Sequence, residues 1–231
     1  MSYLNEAFDA VAADRPRSER AQFLVKTYAH LFGAIAGFVV VLVALFSLGW
    51  AQSIAMKLSK AWFLALGGFV LVSWMASKFA HEAQTLATQY LGLVVFVVAE
   101  ALFFCPLLWV AERKAPGAIE SAALVSLVGF GALTAIVFAT RKDFTFMRAL
   151  LMWAGVVTTL MIVGAIVFHA TLGVGFSVLM VAIAGASILH DTSAVMLHFP
   201  VKRYVGASLE LFASVALLFW YVLRLFMSSR N

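Results

Sequence analysis

Three carboxylates stand where carboxylates are expensive. Asp191, Glu210 and Glu100 each fall inside a long apolar stretch of the chain. An ionisable side chain at the centre of a lipid-spanning helix costs about 2.5–3.5 kcal/mol on insertion scales, so each needs a partner, a proton or a function. Asp191 lies in Ser187-Ile188-Leu189-His190-Asp191-Thr192-Ser193, and Pro200 limits how far that stretch continues as helix. That leaves Asp191 roughly 9 Å inside the boundary. Glu210 lies six residues into the next stretch, which starts near Tyr204. The two acids therefore sit at similar expected depth on consecutive helices. Two carboxylates held close in a low dielectric do not both ionise easily, so they are expected to share a proton as a pH sensor or cation site. Lys78, near the inner end of an earlier span, is the candidate counter-ion that holds a closed state. The bland alternative is that Glu210 snorkels to the interface while Asp191 hydrogen-bonds locally.

Glu100 lies six residues before Pro106. The proline removes a backbone hydrogen bond and is expected to kink its helix, leaving carbonyls for other groups to use. Glu100 reads either as a protonated acid bonded to a neighbouring helix or as a gate or cation contact. Asp143 follows Arg141-Lys142 and precedes Thr145, where an acid can cap the free N–H groups of a helix start. The five histidines show no i, i+4 pair with a third ligand, so no metal site is expected. His81-Glu82 lacks the second histidine of a zinc protease, no Gly-x-Ser-x-Gly occurs, and Tyr204–Met227 holds no lysine for a retinal Schiff base. Catalysis loses by elimination. The single cysteine, Cys105, excludes an intrachain disulfide and reads as a packing residue.

The elements that must position these groups are helices in a bilayer. The chain is 64% hydrophobic and 12% charged, against about 45–50% and 25% in soluble domains. With about 20 residues per span, six to eight spans use nearly all of the chain. The expected fold is all-α: a polytopic transmembrane bundle of seven helices with short loops, because lipid offers no partner for unpaired backbone groups. The spans fall at about Thr27–Leu48, Ala61–Ser77, Leu86–Val110, Ala118–Thr140, Thr145–Phe168, Val174–Leu197 and Tyr204–Met227. Residues 1–25 form a cytoplasmic tail and residues 26–231 one membrane domain. Leu4, Phe8 and Val11 have the spacing of a short amphipathic helix, although a disordered tail is the other reading.

Ten basic residues fall on the N-terminal side (Arg15, Arg17, Arg20, Lys26, Lys78, Arg141, Lys142, Arg148, Lys202, Arg203) and six on the other. That bias favours a cytoplasmic N-terminus and a C-terminus outside. The net charge of +5 is too diffuse for nucleic acid and suits lipid headgroups, so the expected partner is the bilayer itself.

Three stretches resemble the Bax-inhibitor (lifeguard) superfamily, and its bacterial YccA-like branch in particular. They are Leu24-Val25-Lys26-Thr27-Tyr28, then Thr140-Arg141-Lys142-Asp143-Phe144-Thr145-Phe146-Met147, then Ile188-Leu189-His190-Asp191-Thr192-Ser193 through Arg203-Tyr204-Val205-Gly206-Ala207. With Pro106 and the span count, the resemblance runs from about residue 24 to the end. It implies seven helices around a central sixth, no enzymatic chemistry, and a place in the bacterial inner membrane. Superfamily members look like pH-sensitive calcium leaks or modulators of stress responses, which makes a calcium ion the implied ligand. The YccA-like branch is linked to the membrane AAA protease FtsH, which it restrains, so the alternative function is a protease modulator that moves no ion. In calcium-leaking members an aspartate on the sixth span pairs with one on the seventh. Asp191 matches the first, while the second position falls on Ser214. Glu210, one turn away on the same face, is placed to replace the missing acid.

Overall fold

The computed structural model describes residues 12–14, 16–82 and 85–229. The tail positions Leu4, Phe8 and Val11 lie outside them. Among the described residues every regular element is helical. A 3-10 turn, Ala12–Asp14, precedes α1 (Arg17–Ser47), α2 (Trp50–Lys60), α3 (Trp62–Glu82), α4 (Leu86–Lys114) and α5 (Ala118–Thr140). A second 3-10 turn, Thr145–Met147, leads into α6 (Arg148–Val167), followed by α7 (Val174–Leu197) and α8 (Tyr204–Ser228). Six of these helices are long and apolar enough to cross a membrane; the count is seven if α2 and α3, bent by 103° at their junction, form one span.

The expected bounds of the fourth and sixth spans coincide with α5 and α7. The first does not. α1 starts at Arg17, ten residues ahead of Thr27, because Pro16 (φ −50°, ψ 146°) sets an extended entry and the buried stripe already begins at Phe23. Helix α2 is an element that the hydropathy of whole spans passes over. Its apolar positions Ala51, Ile54, Ala55 and Leu58 follow helical spacing on an otherwise polar segment. Gly49 separates α1 from α2 at φ +73°, a left-handed conformation that a side chain would strain.

The chain divides into two compact units: Met1–Arg113 with Val195–Phe212, and Lys114–Ala194 with Ala213–Asn231. Helices α7 and α8 each contribute to both. In the first unit the buried stripe of α1 runs Phe23, Thr27, Leu31, Ala34, Phe38, Leu42, Leu45. Its steps of four, four and three repeat every eleven residues, close to the pitch of a straight helix, so the stripe stays on one face without supercoiling. Phe38 meets Phe104 edge-on at 5.2 Å and Phe212 at 5.9 Å. Leu45, Ala51 and Cys105 form a buried cluster in which the Cys105 thiol donates to the Ala51 carbonyl at 3.7 Å. Cys105 thus packs, and its weak donor pins α4 to the first turn of α2. The Ala12 N–H donates to the Phe199 carbonyl at 2.9 Å, which ties the N-terminal segment to the turn before α8.

In the second unit, a side chain on Gly185 of α7 would meet Leu133 of α5 at 3.5 Å, and one on Gly129 of α5 would meet Leu218 of α8 at 3.7 Å. These helices approach closely. Helix α6 differs: Thr158 is its buried residue, while Leu150, Met152, Trp153, Val156 and Leu160 are exposed. A helix that is apolar all round and uncovered by protein is a lipid-facing one.

Candidate functional site

Helix α7 carries Ser187, His190, Asp191, Thr192 and Ser193 within two turns, on an otherwise apolar segment. Leaving such groups unpaired in a bilayer would cost several kcal/mol, about 2–7 per polar group, so their partners define the site. Asp191 Oδ1 accepts a hydrogen bond from His190 Nδ1 at 2.8 Å. Asp191 Oδ2 accepts one from the Ser214 hydroxyl of α8. The side chains of His190 and Asp191 are only 17% and 16% exposed. While the carboxylate is ionised it can only accept, and Nδ1 then carries the imidazole proton.

A second strand of the network holds this one in place. The Ser193 hydroxyl donates to the His190 carbonyl at 2.9 Å and accepts the Phe144 N–H at 3.1 Å. Phe144 belongs to the turn between α5 and α6. That turn begins with Arg141 at φ +52° and is closed by Asp143, whose Oδ1 accepts both the Thr145 N–H (2.8 Å) and the Thr145 hydroxyl (2.6 Å). The residues singled out around Arg141–Met147 and Ile188–Ser193 are therefore parts of one arrangement. Asp143 shapes the turn, the turn reaches Ser193, and Ser193 bonds to the backbone of the residue that pairs with Asp191.

Asp191 and Ser214 are thus brought together. Glu210 is half-buried one turn ahead of Ser214, in the part of α8 that clusters with the first unit. Lys78 is exposed on α3, with its Nζ 5.4 Å from the Trp74 ring centroid. Glu100 is 6% exposed in α4, and among the described residues its Oε2 meets no hydrogen-bond partner. Phe96 and Phe104, a turn to either side of it, pack edge-on against Phe212 and Phe38. Pro106 lies inside α4, and Pro200 closes the turn before α8, its carbonyl accepting the Arg203 N–H at 2.9 Å.

His190 and Ser193 are the residues that sequence reasoning passed over. Neighbouring positions on a helix point about 100° apart and do not ordinarily face each other, so the adjacency of His190 and Asp191 carried no signal of a pair. The polar run around them was the available clue.

Calcium takes six to eight oxygen ligands, and the Asp191 cluster supplies the two carboxylate oxygens and one hydroxyl. Among the described residues no group of three or more His, Cys, Asp or Glu side chains is arranged to hold a metal ion.

Six or seven helices fit to cross a membrane, with no other regular element among the described residues and a polar cluster inside two of them, make this a multi-pass membrane protein. The family described as "Inhibitor of apoptosis-promoting Bax1" matches residues 20–231. The chain therefore belongs to the Bax inhibitor-1 family, whose members are in general non-enzymatic membrane proteins. No curated protein and no solved structure matches the chain.

Proposed function

We propose that the protein is a proton-responsive regulator in the bacterial inner membrane that leaks a cation, calcium by family resemblance, past Asp191. The observation that carries this reading is the Asp191 carboxylate shared between His190 on its own helix and Ser214 on the next. A carboxylate in that position attracts a passing cation only while its charge is uncompensated. Protonation of His190 gives the imidazole a full charge against Asp191 and cancels that attraction. The sign follows: flux falls as pH falls through the titration of the pair. Ser214, standing where leaking relatives carry a second acid, supplies a neutral latch, and His190 supplies the titratable partner. The hydrogen bond from Ala12 to Phe199 supports an N-terminus on the same face as the α7–α8 turn, with the far end of α8 outside.

The test is calcium flux into liposomes carrying the purified chain, measured across pH. Wild-type protein should conduct less in acid. Asp191→Asn should abolish conduction, and His190→Gln should conduct with the pH dependence flattened. Conduction by Asp191→Asn equal to wild type defeats the proposal. Wild-type liposomes that carry no cation at all would leave the other function implied by the family, restraint of a membrane AAA protease.

A further inference from the structure

A second polar cluster lies in the first unit, independent of Asp191. His30 on α1 donates through Nδ1 to the Lys26 carbonyl at 2.7 Å, and its Nε2 is 2.7 Å from the Tyr90 hydroxyl of α4. Its ring lies tilted against Tyr204 at the start of α8, with the ring centroids 5.0 Å apart. The Lys26 ammonium stands 5.4 Å from the centre of the Tyr204 ring. One cation, one imidazole and two phenols thus meet near the starts of α4 and α8, against the first half of α1. The surrounding chain is basic: residues 17–26 hold Arg17, Arg20 and Lys26 against the single acid Glu19, and Lys202-Arg203 precede Tyr204.

An open groove of about 400 Å³ runs from this cluster between α1 and α4. Gly33, Gly37, Val41, Leu93, Val94 and Val97 line its apolar length. A side chain built on Gly33 would meet nothing within 4 Å, whereas one on Gly37 would touch Val97 at 3.7 Å. The groove is therefore open at Gly33 and narrower at Gly37, where an added methyl group would just touch Val97. Glycines four apart usually admit a second helix, but that mode needs both glycine faces bare along the crossing. Here α4 already covers Gly37. A flexible chain of methylene width fits a slot that tapers in this way.

We propose that this groove binds one phospholipid with an anionic headgroup, an acyl chain lying along Gly33 toward Gly37 and the phosphate held by the Lys26 ammonium. The charge matches: phosphate oxygens accept from an ammonium, and charge-assisted bonds of this kind are the stronger ones. The site does not depend on the leak reading, since it uses none of its residues.

The purified full-length chain, in detergent, is exposed to dioleoyl phosphatidylglycerol or dioleoyl phosphatidylcholine, and retained lipid is read by native mass spectrometry. One phosphatidylglycerol should be retained, about tenfold better than phosphatidylcholine. Gly33→Leu should lower retention of both lipids by about tenfold, and Lys26→Gln should erase the preference between them. Gly164→Leu, at an open position on α6, should change neither. Equal retention of the two lipids by wild type overturns the proposal, as does full retention by Gly33→Leu. A wild-type dimer that Gly33→Leu converts to monomer also overturns it, because a second copy then occupies the groove. If Gly33→Leu loses helicity by circular dichroism, the headgroup preference of Lys26→Gln decides alone.

Discussion

His30 and His190 are used in opposite ways. His30 commits Nδ1 to a carbonyl of its own helix, one turn back, and reaches across to α4 with Nε2. The imidazole itself is the link between helices. His190 commits Nδ1 to its neighbour Asp191, and the carboxylate makes the link to Ser214 of α8. In the second case the Nδ1 bond stays within one helix, and the carboxylate it reaches carries the bond to the next. A phenol partner on one side and a carboxylate partner on the other therefore distinguish the two contacts, although both begin from the same side chain near the end of a span.

The largest effect expected from this contrast is at Asp191. Asp191→Ala removes the acceptor of both bonds, and the loss should be about 2–3 kcal/mol of stability, together with all pH-dependent flux. Thermal unfolding in detergent and the liposome assay measure the two parts. Ser214→Ala leaves the carboxylate with His190 but cuts the link between α7 and α8. It should cost about 1 kcal/mol and raise flux at a given pH, since the latch is gone while the charge stays. Lower flux in that variant would break the comparison, because Ser214 would then be part of the path.

Smaller effects should appear at the other histidine. Tyr90→Phe removes the cross-helix partner of His30 and should cost about 0.6 kcal/mol, the average for such bonds in a membrane, with the pH profile of flux unmoved. A shifted pH profile in Tyr90→Phe would make both histidines titrating elements and erase the distinction. The smallest effect belongs to Asp143→Asn. An amide oxygen still accepts the Thr145 N–H, so stability should fall by about 0.5 kcal/mol and flux per folded molecule should not change. A selective loss of flux in folded Asp143→Asn would show that the α5–α6 turn gates the cluster it touches through Phe144 and Ser193.

Which parts of this were legible beforehand divides along a physical line. Chain composition and the length of the apolar stretches determined the class of protein, because a backbone in lipid must bond to itself and only helices of about 20 residues do so within one segment. The bounds of α5 and α7 followed from hydropathy alone, a property each helix carries locally. Asp191 was legible as an expense, and Asp143 as an acid at a helix start. Helix α2 was missed because a short segment of mixed polarity is invisible to a window sized for a whole span, although its period was there to read.

The tertiary structure alone decided the partners. That Asp191 Oδ2 takes Ser214, that Ser193 takes Phe144 forty-nine residues away, and that His30 takes Tyr90 across sixty residues all depend on how far each helix is rotated about its axis. Sequence spacing fixes which residues share a face of one helix. It leaves open which faces meet, and that is set by packing between helices, where glycines such as Gly129 and Gly185 allow close approach.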